Sequence, residues 1–288
     1  QHWLWHQASV CCVLLRGETM ADGVQVTEAV AGPANRGITR RIDARLRSLR
    51  LLDRSALVRK VVDIGTRGVG IEPIPAWLGE SNRAVLVSNY PSVSQTLRAL
   101  IKMGCRLPGD GYRLKGIGRP DVVTNASALL KALGVDNLIF PVYKDDAGAY
   151  RLHRQVVKQV LEYLEGEGNV LWMSITGTTR GNGLLETDVR TGAALFSTGK
   201  GVPMVPMGLV TKQVKGKPRV VKVRFGEPIP PPPMDELSDF DKTDFLVDLS
   251  RLALCRTASL LPPGQRGDFE QVEEKLQEIE ARLEARYS

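Results

Sequence analysis

Between Ala84 and Phe225 the chain alternates short apolar runs with segments of helical periodicity, and few architectures accept that rhythm. The spacing predicts strands at 84–88, 137–142, 169–173, 203–209 and 220–225, with helices at 92–103, 126–133, 152–165 and 192–197. The expected fold class is α/β: a single domain with a mixed, mostly parallel sheet flanked by helices, an N-terminal amphipathic helix and C-terminal helices. The proline run Pro228 and Pro230 to Pro233 closes this region, because proline supplies no ladder donor in a central strand. Beyond it, Phe269, Val272, Leu276, Ile279 and Leu283 recur at three- and four-residue steps. That stripe is too short for a convincing coiled coil, so docking on its own domain is expected ahead of dimerisation.

Composition narrows the chemistry. With 288 residues, 43% apolar content and average glycine and proline usage, the chain reads as an ordinary globular protein. Cys11, Cys12, Cys105 and Cys255 show no paired CxxC spacing, and two of the three histidines, His2 and His6, lie in the first six residues. A zinc site, a disulfide framework and multi-imidazole metal chemistry are therefore not expected, nor is a cofactor. A reduced, cytoplasmic setting is the default expectation.

Charge points to an anionic partner. The formal net charge is +7, and nine basic residues between Arg36 and Lys60 stand against only Asp43 and Asp53, so one segment holds the whole excess. Apolar residues from Ile38 to Ile64 recur at helical spacing, which puts the arginines on one face of an amphipathic helix. Two readings stand: a solvated helix packed on its own domain, and a helix lying on an anionic membrane surface through Arg40, Arg41, Arg45 and Arg47. Nucleic acid is not expected, since no aromatic residues interleave with the charges and no reading motif is present. The nineteen residues before Met20 look like upstream sequence or a poor leader; Ala8 to Leu15 is too short to span a bilayer. The expected divisions are 1–19 as a tail, 20–78 as the basic helical region, 79–233 as the α/β core and 234–288 as a helical appendix.

Three segments run from a strand through a polar turn into a helix, where α/β proteins put ligand groups. They are VLVSNYPSVSQT (85–96), LIFPVYKDD (138–146) and VLWMSITGTTRGNG (170–183). The third suits a phosphate: Gly177, Gly181 and Gly183 let backbone N–H groups approach an anion, and Thr176, Thr178, Thr179 and Arg180 add donors. It lacks the spacing and lysine of a P-loop, and no GxSxG elbow occurs.

In order and spacing, these turns resemble the glycerol-3-phosphate and lysophosphatidic acid acyltransferase superfamily over roughly 83–228. That family reads N-H-x-x-x-x-D, F-P-E-G-T-R-S and V-P-I-V-P-V; this chain has NYPSVSQ (89–95), SITGTTR (174–180) and VPMVPM (202–207). RTGAALFSTGKG (190–201) resembles the family's K-x-G-A-x-x-L-A helix, and VKVRFGEPIPPP (221–232) its closing strand and F-G-x-P-I exit. IFPVYK (139–144) is similar to the second block, with Lys144 where an arginine usually contacts the acceptor phosphate. The resemblance implies an acyl donor, acyl-CoA or acyl carrier protein, and a phosphorylated glycerolipid acceptor, bound through Asn89, Lys144, Thr176, Gly177, Thr178, Thr179 and Arg180. It also implies a cytoplasmic protein, peripheral on the inner face of the membrane.

The departures fall on the catalytic positions. Tyr90 replaces the family's general-base histidine, Gln95 the aspartate that orients it, and Thr176 the glutamate of the third block. The histidine would take the proton as the acceptor hydroxyl attacks the thioester, while the carboxylate steadies the imidazolium. A phenol with pKa near ~10 is about a thousandth ionised at neutral pH, and an amide is no base. Weak or absent transfer is expected. His153 is read as a surface or packing residue, not a substitute base. The rival reading is a non-catalytic scaffold acting through its Arg-rich and C-terminal helices.

Overall fold

All five apolar runs become strands, and the computed structural model adds the elements that periodicity missed. It describes residues 66–73, 83–106, 112–119, 139–144, 150–177, 183–231, 239–269 and 271–287. The chain divides into two compact units, Gln1–Gly65 and Thr66–Ser288, and every described residue belongs to the second. The tail, the Arg-rich segment and the helix expected at 126–133 lie outside the described residues.

In chain order the strands are β1 (Gly70–Ile71), β2 (Ala84–Ser88), β3 (Arg113–Gly118), β4 (Ile139–Pro141), β5 (Tyr143–Lys144), β6 (Tyr150–Arg151), β7 (Asn169–Ser174), β8 (Met204–Val214) and β9 (Lys217–Phe225). The helices are α1 (Val93–Arg106), α2 (Arg154–Tyr163), α3 (Gly192–Lys200), α4 (Asp239–Ser259) and α5 (Val272–Tyr287). Seven strands form one sheet in the order β1-β9-β8-β2-β7-β3-β4, while β5 and β6 form a separate antiparallel pair. All neighbours in the large sheet run parallel except β8 with β9, so the fold is α/β with a mostly parallel mixed sheet.

Burial explains the order. β2 is AVLVS and buried at every position, as a strand covered on both faces must be, and it lies at the sheet's centre. On one face Val85, Val87, Leu171, Met173 and Met204 join a core with residues of α2, α3, α4 and α5. On the other Leu86, Trp172, Val205 and Met207 pack with Ala99 and Met103 of α1. The C-terminal stripe docks within the same unit: Phe269, Val272, Ile279 and Leu283 are buried, and α5 packs along α4.

β3 was missed because its sequence, RLKGIG, carries two glycines and two charges. One glycine is required by packing. A methyl group on Gly116 would lie 3.0 Å from Cε3 of Trp172, so the indole of β7 lies against a strand with no side chain there. Lys115, on the opposite face, places its ammonium about 5.1 Å from the Phe140 ring centroid and 5.0 Å from that of Tyr163, a cation–π arrangement that keeps a half-buried charge in place. Burial pushes the Tyr163 phenol well above its ordinary pKa, and its hydroxyl accordingly remains a donor to the Arg113 carbonyl.

Candidate functional site

Two of the polar sequence blocks open side by side at one edge of the sheet because their strands, β2 and β7, are parallel neighbours. Ser88, the last residue of β2, is in register with Ser174, the last of β7, and with Met207 of β8. Adjacent strands lie about 4.8 Å apart, so the turns beginning at Asn89 and Ile175 start side by side. The ladder continues into them: Ile175 N–H donates to the Ser88 carbonyl at 3.0 Å. This C-terminal edge is where open parallel sheets present ligand groups.

In the turn after β2, the Asn89 and Gln95 head groups bond to the protein itself. The Asn89 amide is buried; its Nδ2 donates to the Leu209 carbonyl at 3.1 Å, and its Oδ1 accepts from Leu209 N–H at 2.7 Å. It thereby extends the β2–β8 pairing after β2 has ended. Gln95, on the first turn of α1, is also buried, and its Oε1 accepts from Val220 N–H and from Arg98 Nη1, each at 3.1 Å. Burial, with nearby Arg219 as a second cause, holds the Arg98 guanidinium below its ordinary pKa range. Gln95 therefore ties α1 to β9. Tyr90 is half-buried, its ring 6.3 Å from that of Trp172. The indole N–H donates to Ser88 Oγ at 2.9 Å, and that hydroxyl donates to the Asn89 carbonyl at 2.9 Å, which fixes the bend.

The turn after β7 has a different character. Gly177 takes φ +72°, a left-handed conformation that glycine adopts without penalty, and its N–H donates to Ser174 Oγ at 3.1 Å. The Ser174 and Thr176 hydroxyls lie 3.4 Å apart, and Thr176 is buried. Arg190 N–H donates to the Ile175 carbonyl at 2.9 Å, and the side chain passes close by: a methyl group on Gly177 would lie 3.3 Å from Arg190 Cγ. Arg190 is exposed. Two hydroxyls, a glycine turn and a guanidinium together can hold an anion.

Arg190 was not among the residues read as binding. Its signal was present, since it opens the segment resembling the family's K-x-G-A helix, but thirteen residues separate it from Gly177 in sequence. Only the fold of the segment before α3 brings the two together.

The remaining candidates are placed unevenly. Thr178, Thr179 and Arg180 lie outside the described residues, as do Arg40, Arg41, Arg45 and Arg47. Lys144 is in β5, beyond the C-terminal end of β4, so its backbone leaves the same edge of the sheet as the β7 turn. His153 stands just before α2 as its N-cap, exposed and without a side-chain capping bond, its ring 6.5 Å from that of Tyr143. The helix begins one residue later than His153, and the histidine belongs to the β6–α2 corner, not to the β2 turn.

No protein-family model matches the chain, and no curated protein matches it. Among solved structures it is similar to the crystal structure of the 1-acyl-sn-glycerophosphate (LPA) acyltransferase PlsC from Thermotoga maritima. The identity is 14%, the match covers 76% of this chain and 86% of that chain, and the TM-score is 0.40, a distant likeness of fold.

Proposed function

We propose that this chain is a glycerolipid acyltransferase-like protein that binds an acyl donor and a phosphorylated glycerolipid at the cytoplasmic face of an anionic membrane, and that transfers acyl groups weakly or not at all. The observation that carries this reading is the meeting of the first, third and fourth sequence blocks on three adjacent parallel strands, β2, β7 and β8, with the polar turns of the first and third at one edge. The acceptor phosphate is assigned to the Ser174–Gly177 turn and Arg190, with Thr178, Thr179, Arg180 and Lys144 as further donors. Acyl-CoA or acyl carrier protein supplies the acyl chain.

Transfer would form an ester between the acceptor hydroxyl and the acyl carbonyl, expel a thiol and require a base for the hydroxyl proton. Tyr90 is the group at that position, and a phenol is protonated at neutral pH. Gln95 cannot orient a base, and its carbonyl already serves Arg98 and Val220. A positioned general base contributes about 10²–10⁴-fold, and that contribution is what the sequence lacks.

The scaffold reading draws its support from Asn89 and Gln95, whose head groups bond to the protein itself. Native mass spectrometry of the purified full chain, followed by titration with lysophosphatidic acid and acyl-CoA, separates the two. Co-purified phospholipid or saturable binding that weakens in Arg190→Gln supports the lipid-binding protein. A bare chain that binds neither molecule leaves the scaffold.

A further inference from the structure

Between Gly192 and Gly226 the sequence contains seven lysines and arginines and no aspartate or glutamate. Lys200 meets Glu165, while Lys222 and Arg224 meet Glu72. Lys212, Lys215, Lys217 and Arg219 gather at the β8–β9 hairpin, where every residue from Lys212 to Lys217 is exposed and Arg219 donates to the Arg67 carbonyl. The hairpin is also an overhang. β2 leaves the sheet opposite Met207, whereas β8 continues to Val214, so the tip projects past the edge that carries Tyr90 and the Ser174–Gly177 turn.

Two features of the tip oppose its own stability. Lys212 and Arg219 are directly opposite each other in the β8–β9 register, and like charges in that position repel. Lys215 takes φ +51° beside Gly216 at +74°, a turn position that asparagine or glycine fills more easily. The first of these costs is electrostatic, so an external anion near Lys212 and Arg219 would relieve it. The positive field extends inward, since Arg219 contributes to the lowered pKa of Arg98.

We propose that the β8–β9 hairpin tip docks on the surface of an anionic lipid bilayer. A narrow ribbon end with exposed Val214 between lysines reaches a flat surface readily. Lysine is depleted in protein–protein interfaces, which favour arginine and aromatic residues, and the tip has no aromatic residue. The benefit of the contact rests on the lipid-binding reading above, because it would turn the ligand edge towards the bilayer; the contact itself rests on the hairpin's charge.

The test uses the full chain with Arg40, Arg41, Arg45 and Arg47 replaced by Gln, so that the tip is read apart from the N-terminal cluster. Co-sedimentation is measured with vesicles of phosphatidylcholine alone and of phosphatidylcholine mixed with phosphatidylglycerol. The parent is expected to bind only the anionic vesicles, less so as salt rises, and Lys212→Gln with Lys215→Asn and Lys217→Gln is expected to weaken binding on the order of 100-fold. The triple variant should unfold at or above the parent's temperature, because a repulsive pair is removed. If it unfolds earlier, Lys215→Asn alone decides, with a several-fold loss expected. Unchanged vesicle binding, or a parent that ignores anionic vesicles, overturns the proposal. So does a triple variant that keeps vesicle binding but loses affinity for an acidic acyl carrier protein, which would assign the tip to a protein partner. Failure of lysophosphatidic acid to bind in solution would sink the lipid-binding reading and leave the vesicle result standing.

Discussion

The turns after β2 and β7 leave the sheet side by side, yet they handle their polar groups in opposite ways. After β2, Asn89 bonds to the Leu209 backbone and Gln95 to Val220 and Arg98, so the turn is fastened to β8 and β9. After β7, the Gly177 turn carries the Ser174 and Thr176 hydroxyls with exposed Arg190 beside it. One turn commits its amides to the fold, and the other leaves an exposed guanidinium beside a glycine turn.

The largest effect should come from Asn89→Ala. It leaves the buried Leu209 N–H and carbonyl without their partners, and at about 1–3 kcal/mol for each such group the loss is about 2–6 kcal/mol. Urea unfolding measures it, and a loss under about 1 kcal/mol would mean that the turn is not fastened as described. Gln95→Leu should cost about 1–3 kcal/mol, because Val220 N–H and the Arg98 guanidinium lose a shared acceptor inside the protein.

For Arg190 beside the β7 turn the signature reverses, with ligand affinity falling and stability nearly constant. Arg190→Gln is expected to weaken lysophosphatidic acid binding about five- to tenfold by calorimetry, the worth of one charge-assisted contact at an exposed site, while unfolding shifts by no more than about 0.5 kcal/mol. The smallest effect is Gly177→Ala, about 1 kcal/mol of stability from the left-handed backbone, with a modest loss of affinity as the methyl group presses on Arg190. If Arg190→Gln destabilised the protein as much as Asn89→Ala, the contrast between the two turns would fail.

The strands beneath this contrast were legible in sequence, and the contrast itself was not. The apolar runs gave β2 residue for residue, 84–88, and β7 within one residue, because strands buried on both faces need nothing but apolar side chains. β8 runs five residues further than the 203–209 expected, since Lys212 and Gln213 interrupt the apolar run while the antiparallel ladder with β9 sustains the strand. β3 stayed hidden because Gly116 answers to Trp172, a partner far away in sequence. The side-chain roles were least legible. Nothing around Asn89 in sequence signals that its amide bonds the Leu209 backbone, 120 residues away. Arg190 was passed over because its neighbour, Gly177, is adjacent only after folding.

The proposal is that Tyr90, a phenol where acyl transfer needs a base, leaves the reaction without one. Its most direct test is the rate at which the wild-type chain transfers a labelled acyl group from acyl-CoA to lysophosphatidic acid, compared with that of Tyr90→Phe. Both proteins are expected to stay near the rate without protein. Robust wild-type transfer would contradict the proposal, and transfer abolished by Tyr90→Phe would make the Tyr90 hydroxyl the catalytic group.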